Sequence, residues 1–185
     1  GWSGRSGTDE PHLHFEIRRG DVAYNPLLAG VSVEDTVEPV IRRVALVPVR
    51  SRADASWEGR PQVLECTGRD TALITGLERL LVEAVDARAD GRFTLAPWRV
   101  ALEGAGIEVE CRFDSISWAE GMSEVDFVYD RGRTLPAGRH GIVLGAPPGF
   151  RPRVLRARGP VEGGAGDLAV PSSGRPFVVR LIVQD

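Results

Sequence analysis

Gly106-Ile107-Glu108-Val109-Glu110-Cys111-Arg112-Phe113, GIEVECRF over 106–113, is the stretch whose reading decides the fold. On an extended chain Ile107, Val109, Cys111 and Phe113 fall on one face, and Glu108, Glu110 and Arg112 on the other. Such alternation fits an antiparallel sheet with one dry and one wet side, because strands of a parallel sheet are apolar on both faces. The surrounding stretches have similar lengths. VIRRVALVPV (40–49), PQVLEC (61–66), ERLLVEAVD (78–86), WRVALE (98–103), EVDFVYD (124–130), HGIVLG (140–145), PRVLRA (152–157) and PFVVRLIVQ (176–184) are strand-length runs punctuated by Gly, Pro and Asp. LITGLERLLVEAV has the length of a helix, but Gly76 and the strand character of 80–85 divide it into a turn and a strand. Many short strands and little helix predict an all-β fold, two packed antiparallel sheets in an immunoglobulin-like or jelly-roll-like sandwich. Trp98 and Trp118, in or beside strands, read as core residues, and 159–176 reads as a mobile hairpin or loop.

Composition bounds the function. The chain has 185 residues, 42% of them hydrophobic, enough for one substantial domain or a small one attached to part of another. Its formal charge of -3 and scattered arginines give no basic stripe, so a nucleic-acid partner is not expected. No run of about 18 apolar residues is present to span a bilayer as a helix, and GWSGRSGTDE lacks the basic start and apolar core of a signal peptide. Cys66 and Cys111 allow at most one internal disulfide; each sits in an apolar-patterned strand and reads as a buried thiol, with pairing left open.

The chemistry-bearing residues cluster near the start. In PHLHFE (11–16) and the following Ile17-Arg18, Leu13, Phe15 and Ile17 share one strand face, and His12, His14, Glu16 and Arg18 the other. Two imidazoles at i and i+2 lie roughly 6.5–7 Å apart along a strand. One can bind zinc while the other exchanges a proton with a metal-bound water. Gly20-Asp21 reads as a turn, and VAYNPLLAG as a short extended piece closed by Asn25-Pro26 and Gly30. The acidic stretch SVEDTVEP (32–39) lacks apolar periodicity and reads as a junction, giving a segment 1–31, a junction 32–39 and a β-sandwich domain 40–185.

Residues 1–30 resemble the C-terminal end of the lysostaphin-type zinc endopeptidases, the M23 peptidase family, many of which cut peptide cross-links in bacterial peptidoglycan. The resemblance rests on three parts in order: the glycine turn Gly1-Trp2-Ser3-Gly4-Arg5-Ser6, the strand Pro11 to Arg18, and Asn25-Pro26-Leu27. It implies an M23-type antiparallel β segment in which His14 is a zinc ligand and His12 the histidine that handles the catalytic water or steadies the polarised carbonyl. By the same comparison Glu16 is a supporting or structural acceptor, Gly4 and Ser6 shape the turn, and Asn25 closes the extended piece. The family takes two further zinc ligands from an upstream H-x-x-x-D element and another catalytic histidine from nearby. Neither is in this sequence, whose remaining histidine, His140, reads as a surface turn residue.

The expectation is therefore the C-terminal portion of a zinc-dependent peptidoglycan endopeptidase followed by a β-rich accessory domain. Zinc belongs to the complete parent domain; this chain alone is expected to bind none tightly and to be inactive. Its implied partners are the upstream catalytic-domain sequence and, in the full-length protein, a peptidoglycan peptide, in a secreted, periplasmic or cell-envelope setting. The alternative is a non-catalytic β-sandwich binding or scaffold module with a vestigial peptidase strand.

Overall fold

The computed structural model describes residues 15–51, 54–57, 61–67, 78–87, 94–118, 124–130, 141–146, 150–159 and 178–185. They are nearly all β, in three antiparallel sheets. In the largest, β3 (Val40–Ser51) and β6 (Glu78–Ala87) pair along most of their length. β12 (Gly141–Leu144) and then β11 (Tyr129–Asp130) extend it on the β6 side. β4 (Asp54–Trp57) and β5 (Gln62–Glu65) pair with β3, and β7 (Thr94–Leu95) pairs with the end of β6. The second sheet runs in the order β13 (Leu155–Arg158), β9 (Ile107–Arg112), β8 (Arg99–Gly104) and β14 (Arg180–Gln184). The third joins β1 (Ile17–Arg19), β2 (Val22–Tyr24) and β10 (Ser115–Ser117).

The alternation read over 106–113 is realised in the second sheet. Ile107, Val109 and Cys111 enter one apolar cluster with Val100, Leu102 and Leu155, and the first sheet contributes Val44, Leu46, Leu80, Val82, Ile142 and Leu144 to that cluster. Each fully buried aliphatic side chain there stabilises the fold by about 1.5–3 kcal/mol. Phe113 packs at the edge, stacked on Tyr129 at a centroid distance of 5.8 Å. Both cysteines are free thiols. Cys111 is buried with its Sγ 3.3 Å from the carbonyl oxygen of Val143, and burial, aided by the charge of Glu110, pushes its pKa up to about 12.

Three expectations need correction. The large sheet does not have one wet face at its centre: Ala45, Val47, Leu81 and Val143 form a second buried cluster opposite the main core. The unbroken runs VALV in β3 and LLV in β6 are the matching sequence signal, since a strand buried on both faces has no need to alternate. The stretch 124–130 is not one strand but a single helical turn, α1 (Val125–Val128), leading into β11. Its cause is Glu124, 6% exposed, whose carboxylate accepts the backbone N–H groups of Ser117 and Arg153 while its carbonyl accepts those of Phe127 and Val128. Trp118 is also not core. It is 42% exposed and faces the guanidinium of Arg18 at 5.6 Å, a cation–π contact that tolerates water. The 159–176 loop lies outside the described residues beyond Gly159, as does His140.

The β8–β9 hairpin turns on Ala105-Gly106 with φ of 50° and 79°, the mirror-image turn that suits strand twist but strains a residue carrying a Cβ. Gly159 seals the same end: a Cβ there would lie 2.0 Å from the carbonyl oxygen of Gly106. Ala105→Asn is therefore expected to raise unfolding free energy by about 1 kcal/mol. Gly159→Ala should lower it, and urea denaturation of the two variants against the parent chain checks both signs.

Candidate functional site

His12, His14, Gly4 and Ser6 lie outside the described residues, whereas Glu16 and Asn25 are within them. The strand expected to run to Arg18 pairs over Ile17–Arg19, and Phe15 just before it is 60% exposed. Gly20-Asp21 forms the turn between β1 and β2, with Gly20 at φ 59°, where glycine at the first central position suits a two-residue hairpin loop. The Glu16 carboxylate accepts an ion pair from Arg18 at 2.7 Å, and the same guanidinium lies over Trp118.

Asn25 does more than close the extended piece. Its Oδ1 accepts the N–H of Leu27 at 3.0 Å, and its Nδ2 donates to the carbonyl of Phe113 at 3.2 Å. Its backbone N–H donates to the carbonyl of Asp114 at 2.9 Å, while the N–H of Trp118 donates to the carbonyl of Asp21 at 2.8 Å. Between these bonds β2 pairs with β10, Tyr24 opposite Ser115 and Val22 opposite Ser117. A strand ladder thus crosses the junction drawn at 32–39, joining the first segment to the chain that continues from β9.

The outer face of the second sheet is a lattice of paired charges beneath an open concavity. Arg99 reaches Glu110 at 2.6 Å, Glu103 at 2.5 Å and the amide oxygen of Gln184 at 2.8 Å. Although burial works against its charge, the hydrogen bonds to Glu110 and Glu103 hold Arg99 above its ordinary pKa. Arg156 lies 3.4 Å from Glu110, and Arg112 lies 2.5 Å from Asp114. Each of these three arginines thus has a carboxylate partner.

At the end of the sandwich where β6 and β14 finish, the balance reverses. Asp35, Asp86 and Asp185 each place a carboxylate oxygen within 4.8 Å of the other two. Asp86 is 3% exposed; burial, and then the charges of Asp35 and Asp185, raise its pKa above the ordinary 3.8. Protonated Asp86 favours the folded state, and this contribution is lost as pH rises through the raised pKa. The sequence signals one member of this group, Asp35 in the acidic junction. Nothing in the spacing of 35, 86 and 185 links the three; the β6–β7 pairing and the β8–β14 pairing bring them together.

No family model, no curated protein and no solved structure matches the chain.

Asn25→Ala removes two side-chain hydrogen bonds, each contributing about 0.5–1.5 kcal/mol. Limited proteolysis within 15–31 is expected to accelerate roughly tenfold. Asn25→Asp keeps the Oδ1 acceptor but sets a carboxylate oxygen against the carbonyl of Phe113, so cleavage should be at least as fast as in Asn25→Ala.

Proposed function

We propose that this chain carries the C-terminal end of a zinc-dependent endopeptidase domain acting on the peptide cross-links of bacterial peptidoglycan, continued by a β-rich accessory domain. The observation that carries the reading is the sequence PHLHFEIR set between Gly1-Trp2-Ser3-Gly4-Arg5-Ser6 and Asn25-Pro26-Leu27, with two histidines at i and i+2. In this reading His14 holds zinc, His12 handles the proton of the attacking water, and Glu16, ion-paired to Arg18, supports the strand. The setting is the cell envelope or the medium outside it. Exposed Phe15, Leu27 and Leu28 fit a hairpin with a further apolar surface to meet.

Imidazole donors suit zinc, but a catalytic zinc takes three protein ligands and an open position, and the two histidines of one strand fall short of that. The donor set of this chain alone does not fit a catalytic zinc. In this reading the remaining ligands come from the H-x-x-x-D element of a complete domain.

Calorimetric titration of the chain with zinc chloride is expected to give weak binding that His14→Ala abolishes. The reading frame including the upstream sequence should contain H-x-x-x-D and release cross-linked peptides from purified peptidoglycan, with activity lost in His14→Ala and reduced at least a hundredfold in His12→Ala. A reading frame without that element, or cleavage that survives His14→Ala, would defeat the proposal. Peptidoglycan retention that survives both substitutions, without cleavage, would instead establish the non-catalytic module.

A further inference from the structure

The acidic group at the end of the sandwich is built from three separate parts of the chain. Asp35 lies in the segment between β2 and β3, Asp86 near the end of β6, and Asp185 just after β14. Asp35 is held in place because its Oδ1 accepts the N–H of Val37 at 3.1 Å. Asp86 is fixed by its strand, where it pairs with Leu95, and Asp185 follows directly on Gln184, the last paired residue of β14.

Mutual repulsion alone would drive three carboxylates apart, and an acidic cluster alone could be a solvated edge. Asp86 makes the difference. Its side chain is 97% buried by the 3% exposure, its carboxylate belongs to the trio, and its Oδ1 is a buried acceptor without a hydrogen-bond partner. Among the described residues no arginine pairs with any of the three. Glu110 provides the contrast within the same molecule: it is as buried as Asp86, yet Arg99 and Arg156 face it. A buried carboxylate oxygen needs a donor or a cation.

We propose that Asp35, Asp86 and Asp185 form a calcium site. The donors are all carboxylate oxygens, which select hard cations over zinc or copper. Oxygens up to 4.8 Å apart suit calcium, with bonds of about 2.3–2.6 Å and an adaptable shell, better than magnesium, which requires about 2.0–2.1 Å and near-ideal octahedral geometry. Water and nearby carbonyl groups complete the shell. Bound calcium satisfies the Oδ1 of Asp86 and neutralises the repulsion. It also ties the segment leading from the hairpin to both large sheets, through β6 on one side and β14 on the other. The site is independent of the peptidase reading.

The test uses the full chain, stripped with a chelator and titrated with calcium chloride at constant ionic strength. Isothermal titration is expected to show one calcium per chain with a dissociation constant at or below roughly 1 mM, the weak end of extracellular calcium modules. At saturating calcium the melting temperature should rise by several degrees, and magnesium chloride at the same concentration should give less than half that shift. Asp86→Asn should abolish the calcium shift yet melt no lower than the parent chain in chelator, because it removes a buried charge that lacks a partner. Asp185→Asn, at a more exposed position, should weaken calcium binding at least tenfold. Absence of a calcium shift in the parent chain, an equal response to magnesium, or an undiminished shift in both variants would overturn the proposal.

Discussion

Strand β9 is the constraint on which the remaining structure depends. Its inward side chains, Ile107, Val109 and Cys111, close the core between the two large sheets. Its exit positions the β1–β2 hairpin. The N–H of Phe113 donates to the carbonyl of Trp98, and Asp114 accepts from the indole of Trp98 at 2.8 Å. The carbonyls of Phe113 and Asp114 are thereby aimed at Asn25, and the chain continues directly into β10, the partner of β2. A strand rigid on account of its buried face thus positions a hairpin that contributes little core of its own.

The outward side of the molecule follows from the same period. In β9 the side chains that alternate with the core are charged, and their energetics depend on what lies opposite. On the β8–β9 face, cross-strand arginines cover Glu110 so completely that a residue on the wet side becomes buried without being orphaned. The exposed pair on the same face, Arg158 with Glu108, contributes only about 0–1 kcal/mol. At the β6 end the carboxylates meet one another instead. Buried acidic groups thus meet two different surroundings in one molecule, guanidinium groups at Glu110 and further carboxylates at Asp86.

Much of the fold was legible because hydrophobic period is local. The alternation in β9, the strand read over 80–85 and found within β6, and the Gly20-Asp21 turn all depend on neighbours a few residues apart. What was not legible depends on distant partners. Glu124 becomes the clasp of a helical turn only because Ser117 and Arg153 present N–H groups to it. Trp118 reads as apolar until Arg18 is brought over its ring. Asn25-Pro26 announces a turn, but its bonds to Phe113 and Asp114 span 88 and 89 positions and have no signature in either segment. The acidic trio is the extreme case, with members near the beginning, middle and end of the chain.

The β1–β2 hairpin is built into the body of the molecule by backbone pairing across the junction. Amide hydrogen exchange of the intact chain, read residue by residue, tests it most directly at the N–H groups of Asn25 and Trp118, which bond to Asp114 and Asp21 from opposite sides of the β2–β10 ladder. The account predicts that these two amides are protected together, by similar factors and well above exposed amides such as that of Val33. Exchange of Asn25 and Trp118 at the rate of an unstructured peptide, while the amides of β8 and β9 stay protected, would contradict it.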